Sequence, residues 1–269
     1  MARAMWSGVI SFGLVSIPVK LYTAVSKQNV KFNQIDSKTN SRVKQKRVNS
    51  DGDEVAYDQI VKGYEVAKDS YVILTDEDIA SVSPEASRTI DISSFVLDEQ
   101  IDPIFYDSAY HLVPDELARK PYALLLKAME DADRVAIAKV VMRTKEYLVA
   151  LRPRDNMLMM STMVYSDELV DSLALPGADE LQDFEPTKAE LAMANQLIDS
   201  LAADFVSEDY SDSYRVQLLE MIEKKAAGEL QSVTSAEVEQ DGEVLDLMAA
   251  LEASVNAAKE AQKAETKSA

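Results

Sequence analysis

Six cations, Lys31, Lys38, Arg42, Lys44, Lys46 and Arg47, fall within residues 31–47, where the single acid is Asp36. Arg42, Lys44 and Lys46 alternate with Val43 and Gln45, so an extended backbone would put all three on one face. At a rise of roughly 3.3 Å per residue they would stand about 6.6 Å apart. Like charges in a row repel, and nothing close by in sequence neutralises them, so the arrangement suits a polyanion. A solvated loop is the other reading, since runs of like charge are often only exposed. A second basic group, Arg134, Lys139, Arg143, Lys145, Arg152 and Arg154, meets one acid, Glu146, over residues 134–154. Cations without base-reading Asn or Gln on a helix suit phosphate contacts, which position a protein but carry no sequence information. If six phosphates are neutralised, log affinity should fall against log salt with a slope of about −5.

Other chemistry finds little support. The chain has no cysteine, which removes disulfides, thiolate catalysis and zinc-thiolate sites together and fits a reducing compartment. His111, the one histidine, sits between Tyr110 and Leu112 in a strand-like run and reads as a packed or surface residue. No GxxxxGK[ST] or GxGxxG is present among the seven scattered glycines, so the usual phosphate-cradling loops are missing. Asp76-Glu77-Asp78, and Asp98-Glu99 with Asp102, could in principle run glycoside hydrolysis or hold a metal. In a chain with 47 acids they read as solvated faces. No catalytic residue, cofactor or metal is assigned, and the chain is not expected to be an enzyme.

The net charge of −19 would repel a polyanion at long range. Its distribution reverses that inference: residues 1–62 carry a balance of +5, residues 134–154 another +5, and the remainder −29. The expectation is an electropositive working surface inside an acidic shell. The 269 residues allow one large domain or two modest ones. No apolar run approaches a membrane span, and no cleavage site follows the N-terminal stretch, so the chain reads as cytoplasmic, with no membrane partner.

These groups need a scaffold, and the apolar pattern supplies one. Val9 to Phe12 and Val15 to Tyr22 read as strands joined at Gly13, with Pro18 suited to an edge or a bulge. Asn49 to Asp53 is a turn, Tyr57 to Lys68 is mixed, Tyr71 to Leu74 is a strand, and Thr75 with Asp78 fits a helix start. Strand patterns return in 88–97, in Pro103 to Tyr106 and in Tyr110 to Val113. Pro121 opens a helix to about Asp131, with Tyr122, Leu125 and Met129 on one face. Val135 to Met142, Tyr147 to Leu151 and Met157 to Tyr165 follow as an antiparallel meander, giving about ten strands closed into a barrel. Residues 163–213 then hold 13 acids and one base, Lys188. A capping box at Pro186-Thr187 with Glu190 predicts one helix there, and a second runs from about Ser213 to Ala227, stopping at Gly228. Past a polar linker, Val244, Leu247, Met248, Leu251 and Val255 form the stripe of a tail helix. It would either dock on its own domain or wait for another protein.

Several long blocks carry a resemblance. They are RAMWSGVISFGLVSIPVKLYTA (Arg3 to Ala24), RVKQKRV (Arg42 to Val48), VKGYE (Val61 to Glu65), SRTIDISSFV (Ser87 to Val96) and EYLVALRPR (Glu146 to Arg154), then ANQLIDSL (Ala194 to Leu201) and YRVQLLEMIEKKAAGE (Tyr214 to Glu229). In order from residue 1 to about 229, they resemble bacterial Ku, the DNA-end-binding family of non-homologous end joining. The tail block Gly242 to Val255 is similar to that family's short C-terminal region. The resemblance implies a mixed β/α fold: a Ku-core β-barrel (1–165) with an inserted bridge arm (about 30–70), an acidic helical dimerisation region (166–229), and a linker with a short C-terminal tail helix (230–269). It implies a homodimeric ring with duplex DNA threaded through it, loading only where a duplex ends. By position, Lys31, Lys38, Arg42, Lys44, Lys46 and Arg47 would face DNA from the bridge, and Arg143, Lys145, Arg152 and Arg154 from the barrel. Val244, Leu247, Met248, Leu251 and Val255 would recruit the bacterial end-joining ATP-dependent DNA ligase, at the nucleoid. Where many relatives carry a lysine-rich extension, residues 229–269 here have Lys259, Lys263 and Lys267 against nine acids. Two rivals stay open: an acidic protein-interaction adaptor without end-specific DNA binding, and a carboxylate-based hydrolase.

Overall fold

A computed structural model describes residues 3–82, 87–142, 144–178, 180 and 185–228. In chain order the first unit, Met1–Val170, holds β1 (Trp6–Phe12), β2 (Val15–Thr23), β3 (Lys62–Ala67), β4 (Ser70–Leu74), α1 (Asp76–Val82), β5 (Thr89–Val96), β6 (Tyr106–Pro114), α2 (Arg119–Asp131), β7 (Val135–Met142), β8 (Lys145–Arg154) and β9 (Met157–Met163). The second unit, Asp171–Ala269, holds α3 (Lys188–Leu201) and α4 (Ser213–Ala226).

Seven strands close a barrel in the order β1-β2-β6-β9-β8-β7-β5, and β3 with β4 forms a separate two-stranded ribbon. The expected ten strands are therefore nine among the described residues, and the barrel is not a pure meander. Its closing pair, β1 with β5, is parallel, with Val9 level with Thr89 and Ser11 with Asp91. Short turns set the hairpins. Gly13 takes φ 59° in the two-residue loop between Phe12 and Val15, and Asp155 and Asn156 both take positive φ (49° and 59°) between β8 and β9, as tight hairpins require.

The interior follows the two-residue alternation of strands. Ile10, Ile17, Val19, Leu21, Ile90, Leu112, Ala138, Val140, Val149, Leu151, Leu158 and Met160 form one buried cluster. Tyr122, Leu125, Leu126 and Met129 of α2 belong to it too, so this helix plugs the barrel. Trp6 packs against the same cluster, as a core role predicts. Gly8 makes that packing possible: a Cβ there would collide with the Trp6 ring and with the Arg88 carbonyl, which accepts from the Val9 N–H at 2.8 Å. A second, smaller cluster lies on the opposite side of the wall. There Val135, Ala150 and Met163 meet Val96, Ile101, Phe105, Tyr106, Ile137 and Leu148.

Four expectations change. Pro103–Phe105 is a 3-10 turn, not a strand: Asp102 caps it by accepting the Ile104 N–H at 2.9 Å, and Pro103 fixes its first φ. Tyr57 to Lys68 is ordered as a 3-10 turn, Tyr57–Gln59, followed by β3. Pro18 lies inside β2, which is no edge. Its carbonyl accepts from Asp115 N at 3.0 Å where the β2–β6 ladder stops at Val19 and Pro114, so its nitrogen faces the end of that ladder and no bond is forfeited. The ribbon 42–47 forms no strand and touches a partner backbone only in the isolated bridges Ile35 with Arg42 and Val48 with Glu54.

In the second unit α3 starts on the expected box. Thr187 Oγ1 accepts the Glu190 N–H at 3.3 Å and Glu190 accepts the Thr187 N–H at 2.7 Å, and these bonds hold the Glu190 carboxyl below its usual range. The α4 helix ends just before Gly228, at φ 80°. Neither helix has a buried residue.

Candidate nucleic-acid interface

The arm is the chain between β2 and β5, and none of its residues from Val25 to Val82 is buried. With no core of its own, it is shaped by turns and polar contacts. Asp36 accepts the Lys38 N–H at 2.9 Å and the Thr39 hydroxyl at 2.6 Å. Those bonds hold its carboxyl below the ordinary aspartate range, and Asn40 completes the turn at φ 51°. The ribbon's one acid is thus spent on bending the chain.

Its cations divide into two groups. Lys46 pairs with Glu54 at 2.6 Å, Arg42 donates to Asn33 Oδ1, and the Arg47 guanidinium lies 5.1 Å from the Tyr57 ring centroid. The expectation that nothing nearby neutralises the ribbon therefore fails at Lys46, because the chain doubles back at the Asn49 turn and brings Glu54 opposite. Lys31, Lys38 and Lys44 have no ion pair among the described residues, and each is exposed. An open cavity of about 650 Å³ beside the ribbon is lined by Arg47, Tyr57, Lys62, Thr75 and Asp76, among others, with Lys62 and Asp76 paired at 3.0 Å.

The second group rides on the barrel. Lys139 of β7 pairs with Glu146 of β8 at 2.9 Å, and that carboxylate raises the lysine's pKa. The Lys145 ammonium sits 5.4 Å from the Tyr147 ring centroid. Arg152 is half-buried: its guanidinium stacks 4.5 Å from the Tyr106 centroid and donates to Ser161 Oγ at 3.3 Å. Tyr106 in turn donates to Asp98 Oδ1 at 3.0 Å. Burial first, then that bond, pushes the Tyr106 hydroxyl up to about 12. Arg154 is exposed and lies 3.4 Å from Asp155. Arg143 falls outside the described residues, as do Val244, Leu247, Met248, Leu251 and Val255. The barrel closes without the ribbon. Tyr106 and Ser161 went unread as partners of a cation, and Asp98 was read as a solvated acid, because only the fold carries the 97–106 segment across the outer wall to Arg152.

Among the described residues no group of three or more His, Asp and Glu could hold a metal ion, and no helix is long and apolar enough to cross a membrane. His111 is half-buried in β6 opposite Met159.

Residues 11–193 match the family model described as the Ku70/Ku80 beta-barrel domain. The chain belongs to the Ku family. Several relatives bear the name "Non-homologous end joining protein Ku". That of Anaeromyxobacter sp. (strain K) is 45% identical over 262 residues, covering 96% of this chain and 87% of the relative. The Desulfitobacterium hafniense protein is 43% identical over 255 residues, covering 94% and 87%. The Mycobacterium tuberculosis protein is 39% identical over 264 residues, covering 95% of each. Within the family's barrel, the charged features above are the arm inserted between β2 and β5 and the arginines at the end of β8.

Proposed function

We propose that two copies of this chain form a ring that takes up double-stranded DNA at its ends, without regard to sequence, in end joining. Membership of the Ku family carries this reading, together with an arm that concentrates cations on a protein of net charge −19. An arm with no buried residue among the described ones cannot hold its shape on a core of its own; a polyanion or a second copy would supply the missing contacts. Lys31, Lys38 and Lys44, free of ion pairs among the described residues, with Arg42, Lys46 and Arg47, would meet phosphates from the arm. Arg143, Lys145, Arg152 and Arg154 would do so from the barrel. Cations aimed at backbone rather than base edges give binding that depends on salt and not on sequence. The acidic remainder of the surface discourages DNA from resting elsewhere.

Self-association is supported by the second unit. Leu191, Ile198, Leu201 and Phe205 are exposed on and just beyond α3, an apolar stripe that a two-fold copy would cover. The tail residues Val244, Leu247, Met248, Leu251 and Val255 are proposed to recruit the ATP-dependent end-joining ligase, a role resting on the tail's resemblance alone. Threading predicts strong binding to linear duplex and weak binding to covalently closed circular DNA of equal length, read by mobility shift across a salt series. Equal binding to both would overturn it. The acidic adaptor reading, favoured by net charge, predicts instead that DNA binding vanishes at physiological salt while a protein complex persists.

A further inference from the structure

Arg134, Arg152 and Arg154 line one open cavity of about 430 Å³ on the barrel, whose acids are Asp98, Glu130 and Asp133. Two of those acids are already engaged. Asp98 accepts the Tyr106 hydroxyl, and Glu130 lies 3.6 Å from the Lys127 ammonium. Arg154 is likewise engaged, 3.4 Å from Asp155, which leaves Arg134 and Arg152 as the cations of the lining without an ion pair among the described residues. The lining's three guanidinium groups and three carboxylates balance formally, on a protein that is strongly negative overall.

Arg152 also differs in kind from the cations of the arm. Its position is fixed before any ligand arrives, by the Tyr106 ring below it and Ser161 beside it, so little side-chain freedom remains to be lost on binding. Its Nε is buried and has no hydrogen-bond partner. A buried donor without an acceptor is costly, and an oxyanion seated against the guanidinium would supply one. A planar fork of donors matches phosphate oxygens two at a time, which an ammonium cannot do. The cavity is far too small for a double helix, yet ample for one phosphate projecting from it.

We propose that this cavity is a seat for a single backbone phosphate of duplex DNA, held between Arg134 from the turn before β7 and Arg152 and Arg154 from β8. The inference rests on the DNA-binding reading and adds a fixed point to it: the arm supplies diffuse charge, and the seat sets where the backbone crosses the barrel. Arg134 becomes a binding residue and Tyr106 the positioning residue for Arg152.

The test measures affinity of the full chain for linear 5′-hydroxyl duplex across a salt series. Arg134→Gln alters an exposed turn residue whose backbone bond to Met129 O is untouched, so the fold should persist. It should bind about tenfold more weakly at fixed salt, the loss expected for one charge-assisted contact, with a salt slope shallower by about one per chain. Arg152→Lys keeps the charge and loses the fork, so affinity should fall while the slope stays. If that variant melts early, Arg134→Gln alone decides. Wild-type binding by Arg134→Gln at every salt, while Lys44→Glu in the arm weakens it, would overturn the seat and leave the DNA reading intact. A loss confined to 5′-phosphorylated duplex would overturn the backbone assignment in favour of the terminal phosphate. Failure of the DNA reading looks different: the wild-type protein itself would not prefer linear over circular DNA.

Discussion

At the scale of single residues, Tyr106 joins stability to charge. Its ring supports Arg152 and its hydroxyl donates to Asp98. Its folded-state pKa of about 12 lies above the ordinary tyrosine value of 10.0. A raised pKa means the folded state keeps its proton longer than the unfolded chain does. The stability it contributes is therefore complete below pH 10 and lost as pH rises toward 12. Tyr106→Phe should flatten the decline in unfolding free energy across that window, measured by urea titration at several pH values; an unchanged decline would place its cause elsewhere. None of this was legible in the sequence, where Tyr106 closed a run read as a strand. By contrast the capping box of Thr187 and Glu190 was legible, because it depends on near neighbours alone.

At the scale of elements, α2 shows what local pattern can and cannot reveal. Its apolar face of Tyr122, Leu125 and Met129 follows from spacing alone. Its role as the barrel's plug does not, because the partners come from strands on both sides of it in sequence. Tyr122 donates to Leu112 O and accepts from Leu158 N, both at 2.7 Å and both buried. One hydroxyl thus ties β6 and β9 to the helix, and burial raises its pKa. Tyr122→Phe would strand a buried carbonyl and a buried N–H, at a cost of about 2 kcal/mol or more, lowering Tm by about 6 °C for a unit of this size. A melting curve matching wild type would mean water replaces the hydroxyl. The hairpin strands were legible for the same local reason as the helix face. Alternation of charge in the arm's ribbon imitates a strand, but among the described residues no neighbouring strand pairs with it.

At the scale of the molecule, charge segregation was the most legible feature, since it is a property of composition along the chain and needs no contacts. The closing pair of the barrel was the least legible. The β1 and β5 strands run parallel, and 65 residues separate Thr23 from Thr89, so the whole arm is the crossover between strands on either side of β1. Leu21 is level with Trp6, and Thr89 with Val9, so the arm leaves and returns at the same end of β1. That arrangement has a kinetic consequence. Closure must await the meeting of two strands across the longest excursion in the chain, and the entropy of closing a loop grows with the logarithm of its length. Replacing residues 26–86 by about ten Gly/Ser residues should lower that entropic barrier by about 1.5 kcal/mol, which is about tenfold in refolding rate, as stopped-flow fluorescence of Trp6 would read. An unchanged rate would place barrel closure after the slowest step. The arm that would serve DNA would then also be what makes this barrel slow to shut.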